Sequence, residues 1–269
     1  HNDNNKLSHK TEHLEGGIRI ETSTFTVKEL GQYPTPNGVV GFMFDRALQY
    51  VSTKCPKILE PACGDGRFLK EAYKRLFPCQ NIMNMLYGVD IDPKMVEKTK
   101  RALYDLGAPK KAVDTNIRTG NFLIIPSTRI INSDANIWDK AAPIDDFGHF
   151  DLIIGNPPYV RHERIPYRFK EYLREHYDVF HGRGDLCIYF FERSIRLLRK
   201  GGILCFISTD KYTRTTYGKK LRRLLLKYKI LEYISFKKGP FKGIGVNASI
   251  IILKKEKAGK KHEILVSQL

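Results

Sequence analysis

Phe150-Asp151-Leu152-Ile153-Ile154-Gly155-Asn156-Pro157-Pro158-Tyr159 is the stretch that decides how this 269-residue chain is read. Through Gly155 the run is apolar enough for a strand buried on both faces, as in a parallel sheet, and it stops abruptly at a glycine and two prolines. Neither proline can donate to a sheet ladder, which leaves the carbonyls of Asn156 and Pro157 directed into the space beyond the strand. Asn156 adds a side-chain carbonyl and Tyr159 a flat ring. A planar base with an exocyclic amino group would find there two acceptors for its N–H bonds and a stacking surface.

Outward from this strand, apolar runs alternate with helical patterns. Strands are predicted at 57–62, 85–91, 117–124, 150–155, 202–208, 230–236 and 247–254, and helices at 37–53, 66–77, 93–106, 185–199 and 217–228. Asp185 is placed to cap its helix and Gly201-Gly202 to end it, while Pro93 suits a first helical position after an Asp92 cap. The alternation predicts an α/β fold: a doubly wound, mostly parallel seven-stranded sheet with helices on both faces. About ten residues with glycine separate the last two strands, which predicts an antiparallel hairpin at one edge.

Ligands in such sheets lie outside the carboxyl ends of the strands. One end reads Glu60-Pro61-Ala62-Cys63-Gly64-Asp65-Gly66, where the glycines permit a sharp turn and close approach to a ligand before a helix N-terminus. A dinucleotide fingerprint would need a third glycine, and Leu69 stands there. The next strand ends at Asp90, a carboxylate able to accept both ribose hydroxyls of a nucleoside. Together they describe a nucleoside cofactor whose charged end is not a pyrophosphate.

Charge is distributed unevenly. Residues 1–160 hold 20 Lys/Arg against 19 Asp/Glu, whereas residues 161–269 hold 26 against 10. A surplus of that size points to a polyanion, here nucleic acid, although Lys219, Lys220, Arg222 and Arg223 also suit the wet side of an amphipathic helix. Cys55, Cys63, Cys79, Cys187 and Cys205 have no paired spacing, so neither a disulfide nor a zinc site is expected. The histidines lack ligand spacing, no metal is called for, and the reducing cytoplasm fits. No apolar run is long enough to span a membrane. The start is read as a fragment end, disordered through residues 1–17, with one domain over 18–269.

These features resemble the S-adenosylmethionine-dependent methyltransferases of the type II and IIG restriction–modification group, which act on the adenine amino group in DNA through an Asn-Pro-Pro-Tyr signature. The resemblance runs from about residue 30 to 256. Gly31-Gln32-Tyr33-Pro34-Thr35-Pro36 matches the segment preceding the cofactor loop, Gly120-Asn121-Phe122-Leu123 the adenine-side turn, and Asn156 to Tyr159 the signature. It implies the class I methyltransferase fold, with S-adenosyl-L-methionine held by Tyr33, Thr35, Glu60, Ala62, Cys63, Gly64, Gly66, Asp90, Ile91, Asn121, Phe122 and Asn156. It implies catalysis by Asn156, Pro157 and Tyr159, and a target base held by Pro158, Tyr159 and Phe241; a core Phe under the hairpin is the alternative for Phe241. Relatives often carry Asp at the Asn121 position. They also carry a target-recognition domain after the closing hairpin, so target choice is expected from a domain or specificity subunit outside this chain.

The chemistry implied is modest in its demands. Hydrogen bonds from adenine N6 to Asn156 and the Pro157 carbonyl would draw electron density onto a poor nucleophile, leaving positioning and electrostatics to account for most of the rate. The target base would have to leave the duplex at a cost of about a few kcal/mol, offset in part by stacking on Tyr159 worth about 1–3 kcal/mol. Arg161 and the stretch from Arg164 to Tyr177 either hold phosphates near the pocket or form a solvated loop and helix. The same signature serves enzymes that methylate RNA bases or protein glutamines. A silent subunit that binds DNA or cofactor is the reading from a different class.

Overall fold

The computed structural model describes residues 10–13, 19–22, 34–76, 79–125, 137–142, 144–236 and 247–269. A two-stranded antiparallel ladder, β1 (Lys10–His13) with β2 (Arg19–Thr22), comes first. Its position overlaps the segment expected to be disordered; Ile18, Ile20 and Thr22 are β-branched at period two, a strand signal inside an otherwise polar segment. Then follow α1 (Asn37–Ala47), β3 (Ile58–Glu60), α2 (Arg67–Arg75), β4 (Leu86–Asp90), α3 (Pro93–Tyr104), α4 (Lys110–Asn116), β5 (Ile117–Thr119) and β6 (Phe150–Gly155). The remainder is α5 (Tyr167–His176), α6 (Cys187–Leu197), β7 (Leu198–Thr209), α7 (Lys219–Leu225), β8 (Tyr228–Ser235), β9 (Ala248–Lys257) and β10 (Leu265–Gln268).

The main sheet has eight strands in the order β10-β8-β9-β7-β6-β3-β4-β5. Only β9 runs antiparallel to its neighbours, β7 and β8. The expected hairpin is therefore β8 with β9. An eighth strand, β10, pairs in parallel outside β8 and takes the edge. From β3 the chain moves outward to β4 and β5, then returns to lay β6 on the other side of β3. That reversal opens a crevice beyond the adjacent carboxyl ends of β3 and β6.

Side chains alternate across the sheet into two cores. On one face Leu204 and Phe206 of β7 and Ile251 and Leu253 of β9 pack with Ile188, Phe191 and Ile195 of α6. On the other, Ile203, Cys205, Ile250 and Ile252 pack with Val40, Met43 and Phe44 of α1 and Leu69 and Ala72 of α2. Burying each Leu, Ile or Phe contributes about 1.5–3 kcal/mol relative to exposure.

Several boundaries differ from the sequence reading. The helix expected over 37–53 ends at Ala47 and tightens to a 3₁₀ turn at Leu48–Tyr50, and the strand expected over 117–124 stops at Thr119. α6 ends at Leu197, before Gly201-Gly202. Those glycines lie within β7, Gly201 at φ 77°, where the register slips: Phe150 pairs with Leu198 but Leu152 with Ile203. A glycine pair is as much a bulge signal as a helix stop. Asp92 caps α3 through the Lys94 N–H at 2.8 Å with Pro93 in the first turn, as expected. Cys55 and Cys79 form a disulfide, which corrects the expectation of none; their Cα atoms lie 5.9 Å apart, although 24 residues separate them in sequence. Folding the end of α2 back onto the approach to β3 creates a proximity that local spacing does not announce.

Candidate active site

A cleft of about 260 Å³ opens at the reversal between β3 and β6. Its lining includes Thr35, Glu60, Ala62, Cys63, Gly64, Asp90, Ile91, Asn121, Phe122, Asn156 and Pro158 from the residues singled out in the sequence. Gly66 shapes the loop from beneath, Pro157 is buried, and Tyr159 is half-buried against both cores. Tyr33 and Phe241 lie outside the described residues.

The loop after β3 needs its glycines. Gly64 and Gly66 adopt φ 50° and 76°, and a Cβ on Gly66 would sit 2.9 Å from the Thr99 side chain. Thr99 in turn donates to the Gly64 carbonyl at 2.8 Å. Asp90 braces the loop from β4: its Oδ2 accepts the Gly64 N–H at 2.8 Å and its Oδ1 the Asp92 N–H at 2.9 Å. Asp90 lines the cleft at the end of β4, beside the Gly64 loop. Burial pushes the Asp90 carboxyl up to about 6, against the lowering effect of those N–H bonds.

Glu60 is the most exposed to electrostatic cost. It is 2% exposed, and its Oε2 has no hydrogen-bond partner among the described residues. Burial, reinforced by the neighbouring Asp65 and Asp90 carboxylates, pushes its carboxyl well above the usual range. A buried acceptor of this kind, lining a cleft, suits a ligand that brings a positive charge or an N–H donor.

Asn121 is more committed than the sequence implied. Its Nδ2 donates to the Trp138 carbonyl at 2.8 Å and its Oδ1 accepts the Leu123 N–H at 3.0 Å. The turn it belongs to lies against Ala141 and Ala142, so closely that a Cβ on Gly120 would come within 2.7 Å of their backbone. Phe122 stacks on Phe190 with centroids 5.1 Å apart, giving the cleft an aromatic wall.

At the end of β6, the Asn156 Nδ2 donates to the Thr35 hydroxyl at 3.1 Å and its Oδ1 accepts the Tyr159 hydroxyl at 2.5 Å. Leu186, at the start of α6, donates its N–H to the Val160 carbonyl at 2.9 Å, and both residues line the cleft. Sequence reasoning missed Arg67, Trp138, Leu186 and Phe190. Arg67 lies one residue past the second glycine and could have been read with the loop; the others reach the cleft from distant segments.

The Eco57I restriction-modification methylase family profile matches residues 84–241, more than half of the chain. Among curated proteins, the type II methyltransferase M.BstVI of Geobacillus stearothermophilus is 29% identical over 194 residues, covering 66% of this chain and 33% of that protein. The type II methyltransferase M.PaeR7I of Pseudomonas aeruginosa is 29% identical over 224 residues, covering 78% and 36%. The chain thus spans about a third of each. A solved structure from Listeria monocytogenes, assigned to the class I S-adenosylmethionine-dependent methyltransferases, superposes with a TM-score of 0.58 at 19% identity, covering 89% of this chain and 66% of that one. The fold is that class I fold.

Proposed function

Because the chain belongs to the Eco57I restriction-modification methylase family, we propose that it transfers a methyl group from S-adenosyl-L-methionine to N6 of an adenine flipped out of double-stranded DNA, as the modification activity of a restriction–modification system. The observation that carries this reading is the convergence in one cleft of the Gly64 loop, Asp90, Glu60 and the Asn156–Pro158 end of β6. The residues fit the cofactor: Glu60 Oε2, which has no partner among the described residues, suits its cationic end, the Asp90 carboxylate lines the cleft at a strand end where a ribose would lie, and Phe122 offers a face to a purine. When bound, S-adenosylmethionine supplies a methyl group already activated by a sulfonium.

The chain then has to present an amine. Asn156 Oδ1 and the Pro157 carbonyl accept the N–H bonds of the target amino group and draw its electrons toward nitrogen. Asn156 stays neutral throughout, and the surplus proton leaves to water. The enzyme's contribution is orientation and a fixed polar environment. Choice of target sequence is proposed to reside outside residues 18–269, in a recognition domain or specificity subunit.

Tritiated S-adenosylmethionine and duplex DNA should yield N6-methyladenine after nucleoside digestion. Asn156→Ala should abolish that product and leave cofactor binding, measured by calorimetry, in place. Label recovered only in RNA or protein, or cofactor binding without turnover, overturns the reading.

A further inference from the structure

A line of hydrogen bonds joins the glycine loop to the signature asparagine. Asp65 holds the Arg67 guanidinium by two parallel bonds, Nε to Oδ1 at 2.9 Å and Nη2 to Oδ2 at 2.6 Å. The remaining Arg67 Nη1 donates to the main-chain carbonyl of Thr35. Thr35 is 1% exposed, and its hydroxyl accepts the Asn156 amide. The far end of that amide takes the Tyr159 hydroxyl.

We propose that Thr35 is a positioning residue that fixes the plane of the Asn156 amide, and that the Asp65–Arg67 pair holds Thr35 where it can do so. The inference rests on the methyl-transfer reading above. The χ2 torsion of an asparagine is broad and soft, so an amide with one end free rotates readily. Held at both ends it presents one fixed acceptor direction, and small misplacements of a reacting group are costly in rate. Arg67 suits its part because a planar guanidinium can satisfy a carboxylate with one edge and keep a third N–H for the Thr35 carbonyl. The segment that carries Thr35 precedes α1 and lies far from β6 in sequence, so this bridge also couples the geometry of the cofactor loop to that of the base-facing amide.

The test separates these roles. Thr35→Val removes the hydroxyl at nearly constant shape and should lower the single-turnover methylation rate at saturating cofactor about 10- to 100-fold, with a much smaller change in cofactor affinity. Thr35→Ser should restore most of the rate, and Arg67→Gln should lower it about 5- to 10-fold on the same arm. Independently of activity, protein labelled with ¹⁵N-asparagine should show the side-chain amide signals of Asn156, assigned by their loss in Asn156→Ala, shifted or broadened in Thr35→Val and retained in Thr35→Ser. Amide signals unchanged by Thr35→Val overturn the proposal, as does a rate loss explained wholly by weaker cofactor binding. A wild-type protein that methylates nothing defeats the proposed function instead, and the amide signals then decide this inference alone.

Discussion

At the scale of single residues, the site is built from side chains whose usual properties have been displaced. Asp90 is the clearest case. Its carboxyl sits at about 6 rather than 3.8 because burial outweighs the backbone N–H bonds it accepts. Above pH 6 it is ionised and can accept from a ribose; as pH falls through 6 it takes up a proton and loses that capacity. If ligand binding returns it to the ordinary carboxylate range, cofactor affinity falls about tenfold between pH 7.5 and 5. Calorimetry at the two pH values checks this. Glu60 titrates in the same cleft, so Asp90→Asn, which should remove most of the dependence, isolates the Asp90 share. Gly88 shows a different displacement. A dinucleotide loop uses its third glycine to bring helix and strand together. Here the helix position is Leu69, and the small residue has moved to the strand, where a Cβ on Gly88 would lie 2.6 Å from Leu69 Cδ1. Gly88→Ala should destabilise the protein by about 1–3 kcal/mol in urea unfolding, and Leu69→Ala in the same chain should recover part of it. Simple additivity of the two substitutions would show that this packing is not the cause.

At the scale of elements, what the sequence disclosed depended on how local the determining physics was. β6 was readable to the residue because an apolar run ended at two prolines, and α3 because Asp92 and Pro93 are start signals in themselves. The loop after β3 was readable because glycine at positive φ has few alternatives. The joint between α6 and β7 was misread because Gly201-Gly202 serves equally as a stop or a bulge, and only the pairing of β7 with β6 decides between them. β10 was missed because all four of its residues are exposed, so burial imposes no alternation on it. Within the site, the residues on strand ends were legible, while Trp138 and Phe190 reach the cleft only through tertiary packing. The Cys55–Cys79 bond belongs to this second kind, and its effect is measurable. Closing a loop of 24 residues should contribute roughly 3 kcal/mol through the unfolded chain. Cys79→Ser, or reductant on the wild type, should lower the urea midpoint accordingly with little change in cofactor affinity, since the bond lies at the approach to β3 rather than at its carboxyl end. Equal midpoints with and without reductant would show that the bond contributes nothing.

At the scale of the whole molecule, the uneven charge of the sequence becomes a spatial division. The strands of residues 161–269 occupy one side of the sheet as β10-β8-β9-β7, and the near-neutral remainder supplies β6-β3-β4-β5. The cleft opens at the β6–β3 boundary, so the basic half adjoins the end of β6 that carries Asn156, and the balanced half carries the Gly64 loop. Within the basic half, Lys219, Arg223 and Lys227 recur at helical spacing and are exposed, with Lys220 beside them, while Leu221 and Leu225 of the same helix are buried. That face is the natural candidate for binding phosphates. Replacing Lys219, Lys220 and Arg223 together by Gln should weaken duplex binding and make the slope of log K against log salt shallower by roughly 0.9 for each phosphate left without its cation, about 2–3 in all. Fluorescence anisotropy over a salt series measures the slope, and cofactor affinity serves as the control because these side chains are not among those lining the cleft. A slope that stays put while the protein remains folded assigns the stripe to solvation and moves the search for phosphate ligands to Arg161, Arg164 and Arg168, which follow the Asn156–Tyr159 signature directly.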